Sequence, residues 1–350
     1  MNIQNSLVKL SVAGAAVMML ANFAGTANAQ SVADFYKGKT ITLNIGYGAG
    51  GGYDTYSRVL ARHLGNHIPG NPSVVPKNMP GAGSLRAANF VYNATPKNGT
   101  NLLVFASSAA LEPLFGGGKS KAKFKTTGFT WIGNMNQEIF SCGVWKSSGI
   151  KTFDELIKAK DVAFGATGPA AITSQHVKVF NNLAGANIKI IYGYKGTKGI
   201  NLAMRQGEVS GSCGLAKSSI QSRWQKDIDR GDLKVLVQLG IETDPFFKGV
   251  AHIFNYAKTP KSKKAMEVIF GQSKLGRPLA AAPGIPADRR EALRKAFADT
   301  MKDPGYLADA KKTRLKINWQ SGAEVEKMLA GFLATDADAV ALAKQAIGRK

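Results

Sequence analysis

The chain of 350 residues carries 46 Lys and Arg against 23 Asp and Glu, a formal net charge of +23. A field of that sign draws anions, but the basic residues are scattered and no DNA- or RNA-binding signature accompanies them, so nucleic acid is set aside as a partner. Beyond the N-terminal segment no run approaches the ~20 apolar residues of a membrane-spanning helix.

Residues 1–29 hold one lysine, Lys9, then an apolar run from Leu10 to about Ala24, then the small-x-small triplet Ala27, Asn28, Ala29. That is the pattern of a Sec signal peptide cleaved before Gln30. No cysteine follows the cleavage point to take a lipid, so a soluble periplasmic protein is expected. The remaining chain suffices for two lobes of about 100–200 residues each. In an oxidising compartment Cys142 and Cys213 have two readings, a disulfide or two buried thiols, and spacing alone does not choose between them.

From Thr40 onward short apolar runs alternate with amphipathic stretches, the pattern of an α/β fold with mostly parallel strands. Residues 40–47 read as a strand running into the glycine turn Gly48, Ala49, Gly50, Gly51, Gly52. Residues 54–64 read as a helix with Tyr56, Val59, Leu60 and Leu64 on one face. A second strand, 73–76, leads to Pro80, Gly81, Ala82, Gly83, with Ser84 placed to cap the next helix. A third, 102–106, runs into Ser107 and Ser108. The arrangement then repeats. Thr152 to Glu155 is a capping box, the strand 162–165 ends in a small-residue turn through Thr173, the strand 188–192 meets Tyr194, Lys195, Gly196, and the strand 208–213 opens on Gly214. From Lys261 the chain reads as mainly helical, with helices near 288–302 and 323–334.

Ligands of open α/β sheets sit outside the carboxyl ends of strands, where helix N-termini present free N–H groups. Two lobes with facing turns imply a cleft closed by a hinge.

Gly46, Gly48 and Gly51 satisfy the G-x-G-x-x-G string, but the acid a dinucleotide site needs at the second strand end is missing, since 76–80 reads Pro, Lys, Asn, Met, Pro. Gly118, Lys119, Ser120 resembles the end of a phosphate loop whose first glycine is here Pro113. His63 and His67 are four apart without an acid nearby in sequence, which favours surface histidines over a metal site. No nucleophile elbow is present, and neither cysteine has a catalytic setting. Neither cofactor, metal nor catalytic residue is expected. A site of backbone donors remains: glycines admit close approach, and the helix start favours a carboxylate. Asp54 is either a first-turn acid of that helix or a contact to a ligand hydroxyl, amine or water.

The stretch FYKGKTITLNIGYGAGGGYDTYSRVLARHL, then PGAGSLRAANFVYNATPKNGTNLLVF, FGATG, the triplet Tyr194, Lys195, Gly196, RQGEVSGSCG and APGIPADRREALRKAFADTMKDPGY resemble, in that order, the substrate-binding receptors of tripartite tricarboxylate transporters, the TctC or Bug family. The resemblance implies a two-lobed periplasmic binding protein of the type II, Venus-flytrap kind. It places residues 30–140 and 251–350 in one lobe and 141–250 in the other. It implies a monomer that hands a small carboxylate, a di- or tricarboxylate or an aromatic acid, to a large and a small integral membrane permease subunit. A sensor subunit for a membrane kinase or, less favoured, an exported enzyme are the alternatives. Ligand contacts carried over by position are Tyr47, Gly48, Ala49, Gly50, Gly51, Gly52 and Asp54; Gly81, Ala82 and Gly83; Ser107 and Ser108; and Gly165, Thr167, Gly168 and Thr173, with Tyr194, Lys195, Gly196 and Gly214 completing the wall. The chain departs from the family at Ala170, Ala171, Ile172, at Gly214 and at Lys97, Asn98. Fewer polar side chains in the second lobe suit an acid with a less hydrophilic far end.

Overall fold

A computed structural model describes residues 30–349. The signal-peptide reading lies outside the described residues. Two six-stranded sheets form the frame, in the orders β12-β4-β11-β3-β1-β2 and β10-β9-β5-β8-β6-β7. The first contains β1 (Thr40–Ile45), β2 (Ser73–Asn78), β3 (Asn101–Val104), β4 (Thr130–Asn134), β11 (Pro278–Ala281) and β12 (Gln320–Ser321). The second contains β5 (Phe140–Trp145), β6 (Val162–Gly165), β7 (Ile188–Ile191), β8 (Gly211–Ala216), β9 (Leu233–Leu239) and β10 (Ala251–His252).

Apolar alternation explains β1. Ile41, Leu43 and Ile45 are fully buried, and the one polar residue among them, Asn44, donates to Leu102 O at 3.1 Å. β1 pairs in parallel with β2 and β3, which requires crossover helices. These are α1 (Gly52–Leu64), which buries the expected Tyr56, Val59, Leu60 and Leu64, and α2 (Leu85–Ala94). In the second lobe α3 (Ile172–Val179) and α4 (Thr197–Arg205) flank the parallel β6 and β7.

The sheets are mixed rather than mostly parallel. β5 runs antiparallel to β8 and β9, and β11 antiparallel to β3 and β4. Both enter from the other lobe, so they arrive without the crossover that keeps neighbours parallel. β11 is central in its sheet yet lies where the sequence reads as helical, because Pro-Leu-Ala-Ala is too short and alanine-rich to announce a strand.

The boundary expected at residue 251 also shifts. β10 pairs with β9, Tyr256 packs edge-on against Phe153 at 4.7 Å, and Phe270 lies 5.3 Å from His176 of α3. The chain therefore stays against the second lobe through the helix Pro260–Gly271. The last helix, Ala337–Ala346, touches both lobes: Asn182 donates to Ala346 O at 2.9 Å, and Arg349 pairs with Glu112 at 3.2 Å.

Ser84 stands at the N-cap position of α2, but its side chain makes no capping bond. Its φ of 78° is left-handed, and its hydroxyl accepts from Ala106 N at 3.1 Å, fastening the α2 turn to the end of β3. Cys142 and Cys213 face each other in the β5–β8 ladder and are joined as a disulfide, fully buried in the core. Among the described residues no helix is long and apolar enough to cross a membrane.

Candidate functional site

The glycine turn after β1 is braced from behind by Asp54. Its carboxylate accepts from Gly50 N at 2.8 Å, Arg58 Nε at 2.9 and 3.0 Å, and Asn78 Nδ2 at 2.8 Å. Burial opposes ionisation, but Arg58, the Gly50 N–H and Asn78 outweigh it and hold the carboxyl below its usual range. Asn78 Nδ2 also donates to Tyr47 O at 2.9 Å, so one amide pins both ends of the turn. Gly50 has φ of 78°, a left-handed conformation that favours glycine. The residue before α1, Gly51, offers no side chain to cap it, so its first-turn N–H groups have no partner inside the helix.

Between the lobes lies a cavity of about 40 Å³, lined by Tyr47, Gly51, Gly52 and Tyr53 from the first lobe and Phe140, Thr167, Ile172, Thr173, Gly196, Thr197 and Gly214 from the second. Space on that scale holds a water or two. Tyr47 and Tyr53 stack with centroids 4.7 Å apart. Burial raises the pKa of both phenols, which stay neutral at any physiological pH. Thr173 Oγ1 accepts from Thr167 N at 3.0 Å, closing the small-residue turn on itself. Gly214, at φ of 72° and inside β8 rather than just after it, brings the strand against Thr173, where a Cβ would sit 3.1 Å from its methyl group.

The lobes are closed on each other. Gly48 N donates to Lys195 O at 2.8 Å, and Arg223 Nη1 reaches from the second lobe to Gly50 O at 3.0 Å and Thr55 Oγ1 at 2.8 Å. A Cβ on Gly168 would lie 3.0 Å from Gly83 N, so these two turns meet backbone to backbone. At the hinge, Arg277 and Glu138, each 1% exposed, pair at 3.0 Å. Glu138 also takes the Ser218 hydroxyl, and Arg277 N donates to Asn134 Oδ1 at 2.8 Å, which ties both crossover segments together.

The sequence-derived site residues divide by place. Tyr47, Gly51, Gly52, Thr167, Thr173, Gly196 and Gly214 line the cavity. Gly48, Lys195, Gly83 and Gly168 form lobe-to-lobe contacts, and Gly81 and Ala82 shape the turn that carries Gly83. Ala49 lies with Gly48 at the cleft mouth, beside Lys195 and Lys198. Gly165 is covered by Ile200 and Tyr194. Ser107 and Ser108 are fully buried, with hydroxyls that find no partner, away from the cavity lining. Asp54 and Gly50 support the turn from outside the cavity. Sequence reasoning missed Tyr53, Phe140 and Thr197 as lining and treated Ile172 only as a departure from the family. It missed Glu138, Arg223 and Arg277 as well. Tyr53 adjoins the glycine turn and was legible; Phe140 sits on a strand that went unread. His63 and His67 do have acids beside them, from a distant stretch: Asp309 at 3.2 Å and Asp303 at 3.3 Å. Among the described residues no group of side chains is arranged to hold a metal ion.

Residues 57–335 match the TctC family, described as the tripartite tricarboxylate transporter family receptor. The chain belongs to the TctC family. Being a receptor of this kind, it is not an enzyme. Its fold is that of the periplasmic binding protein BugD, at 17% identity and a TM-score of 0.71 over 89% of this chain and 98% of that one. MatC from Rhodopseudomonas palustris, solved with bound malate, aligns at 17% identity and 0.69 over 86% and 99% of the two chains. An R. palustris protein solved with adipate aligns at 16% and 0.68 over 87% and 97%. No curated protein matches the sequence. The TctC match and these folds agree with the two-lobed reading made from strand-end turns.

Proposed function

We propose that this TctC protein is a periplasmic receptor that captures a small organic carboxylate between its lobes and delivers it to a tripartite permease with one large and one small integral membrane subunit. The observation that carries the reading is the inter-lobe cavity with the uncapped start of α1 in its wall. First-turn amides supply donors and partial positive charge to an anion. Ligand contacts are assigned to the cavity-lining residues, with Gly48, Lys195, Gly83 and Gly168 acting in closure and Asp54 as a brace. Carboxylates bound by two relatives of the same fold support the ligand class. The receptor works as a monomer and needs no cofactor.

Mass spectrometry of small molecules released from natively purified protein tests the reading, together with thermal shifts across a panel of organic acids. An acid at 100 times its Kd adds about 2.7 kcal/mol of stability. Recovery of an intact acid that shifts melting supports capture and delivery. Turnover of the acid, or shifts only with sugars or amines, overturns it.

A further inference from the structure

We propose that a groove behind the hinge is a second lobe-to-lobe interface, whose walls stand apart while the cleft is closed and meet when it opens. Ile241 against Ile317 and Glu242 opposite Lys316 then hold the open form. The proposal rests on the two-lobed fold and on no particular ligand.

The groove measures about 710 Å³, far more than the ligand cavity, and has Glu138 and Ser218 in its floor. Arg277, the partner of Glu138, comes within 3.1 Å of a Cβ placed on the cavity-lining Gly52. The buried ion pair therefore stands between the groove and the ligand cavity. One wall, Lys316, Ile317 and Asn318, belongs to the first lobe just before β12. The other, Ile241, Glu242 and Thr243, follows β9 in the second lobe.

The two sides of the hinge are unlike. The cleft side is zipped by Gly48 to Lys195, by Arg223 to Gly50 and Thr55, and by Gly83 meeting Gly168. Across the groove, among the described residues, no hydrogen bond or ion pair joins one wall to the other. Gln137 N donates to Asn318 O at 3.2 Å, but that bond ties the first-lobe wall to the crossover. The lobes turn about the crossovers, so a rotation that parts the cleft side brings the groove walls together.

The walls are complementary. Ile241 is 39% exposed and Ile317 half-buried, so shutting the groove takes apolar surface out of water. Glu242 and Lys316 are exposed and, among the described residues, neither belongs to an ion pair. The neighbouring Lys217 and Asp244 are already joined at 2.7 Å, and Lys274 sits on the crossover and moves with neither wall. The open form thus gains an apolar contact and a charge pair that the closed form lacks, and a ligand has to outweigh them to close the cleft.

Two sets of variants of the ligand-free protein test this, each checked for folding by its melting. With Ile241→Cys and Ile317→Cys together, mild oxidation should join the two thiols, and small-angle scattering should then give an open envelope. A pair that stays reduced in a folded protein, or one that joins while the envelope is closed, overturns the proposal. Glu242→Lys and Lys316→Glu each place like charges across the groove. Each should lower the open-to-closed ratio fitted to the scattering by about threefold or more, and the double exchange should restore it. Folded single variants with an unchanged ratio, or an exchange that does not restore it, overturn the pairing. A wild-type protein that scatters as closed without ligand overturns the whole, because no open form is left for the groove to hold. None of these outcomes bears on the carboxylate reading, which the released-ligand experiment tests separately.

Discussion

Replacing Asp54 by Asn separates a brace from a ligand contact. The carboxylate receives three donors, Gly50 N–H, Arg58 Nε–H and Asn78 Nδ2–H, at 2.8 to 3.0 Å. Asn keeps the shape but has one acceptor oxygen, and its amide turns two N–H bonds toward groups that are themselves donors. At least one buried donor is stranded and a charge-assisted bond to Arg58 is lost, which together costs about 3 kcal/mol. For a chain of this size that lowers the melting temperature by about 4–5 °C. The pH dependence carries a sign that can be checked. The folded pKa of Asp54 is depressed, so its contribution is present above the unfolded carboxylate value of about 3.9 and is lost as pH falls through the folded pKa. Asp54→Asn should therefore lower stability near neutral pH and flatten the acid limb of the stability curve. Calorimetry of the ligand-free protein between acid and neutral pH measures both. A variant that melts within about 1 °C of wild type but no longer binds its acid would refute the reasoning, because it would make Asp54 a ligand contact.

Gly168→Val should keep the lobes apart, since even a Cβ there meets the Gly83 backbone at 3.0 Å; small-angle scattering at saturating ligand should give an open envelope, and a closed one would show that the turns slide past each other. Removing the bridge with Cys142→Ser and Cys213→Ser releases a loop of 71 residues and should cost about 4 kcal/mol in urea unfolding; a loss below about 1 kcal/mol would mean the β5–β8 ladder holds unaided. Glu138→Gln leaves Arg277 buried without its anion and should destabilise by about 3–5 kcal/mol, and a neutral result in chemical denaturation would place water at the hinge.

What was legible in the sequence was whatever obeys a local rule. The β1 alternation, the α1 stripe and the Thr152 cap are periodicities or short-range bonds: Thr152 Oγ1 accepts from Glu155 N at 3.1 Å, as S/T-x-x-E spacing requires, although Glu155 returns to Lys151 N at 2.6 Å and so the capping box closes one residue early. β11, Phe140 and the Arg277–Glu138 pair were not legible, because each depends on a segment far away in sequence, more than seventy residues off for Phe140 and more than a hundred for the others. Ser84 shows the same limit from the other side. Its residue type fits a cap, but the partner it takes is Ala106, at the end of a strand not yet formed when Ser84 is read locally.

The glycines of the turn prove to have separate tasks, and this narrows where an anion can be held. Gly48 N–H is occupied by Lys195 O and Gly50 N–H by Asp54, so neither is free to meet a ligand in the closed form. In this turn the free donors are the first-turn amides of α1, at Gly52 and Tyr53. Gly48 and Gly50 instead let the second lobe approach: a Cβ on Gly48 would come 3.2 Å from Lys195 Cβ. Closure here is thus satisfied by the protein's own groups. A ligand shifts the balance between open and closed lobes only by what it gains in the closed form alone, and of the contacts across the cleft, Arg223 to Gly50 and Gly48 to Lys195 lie at the turn that holds the start of α1, while Gly168 meets Gly83 on another turn.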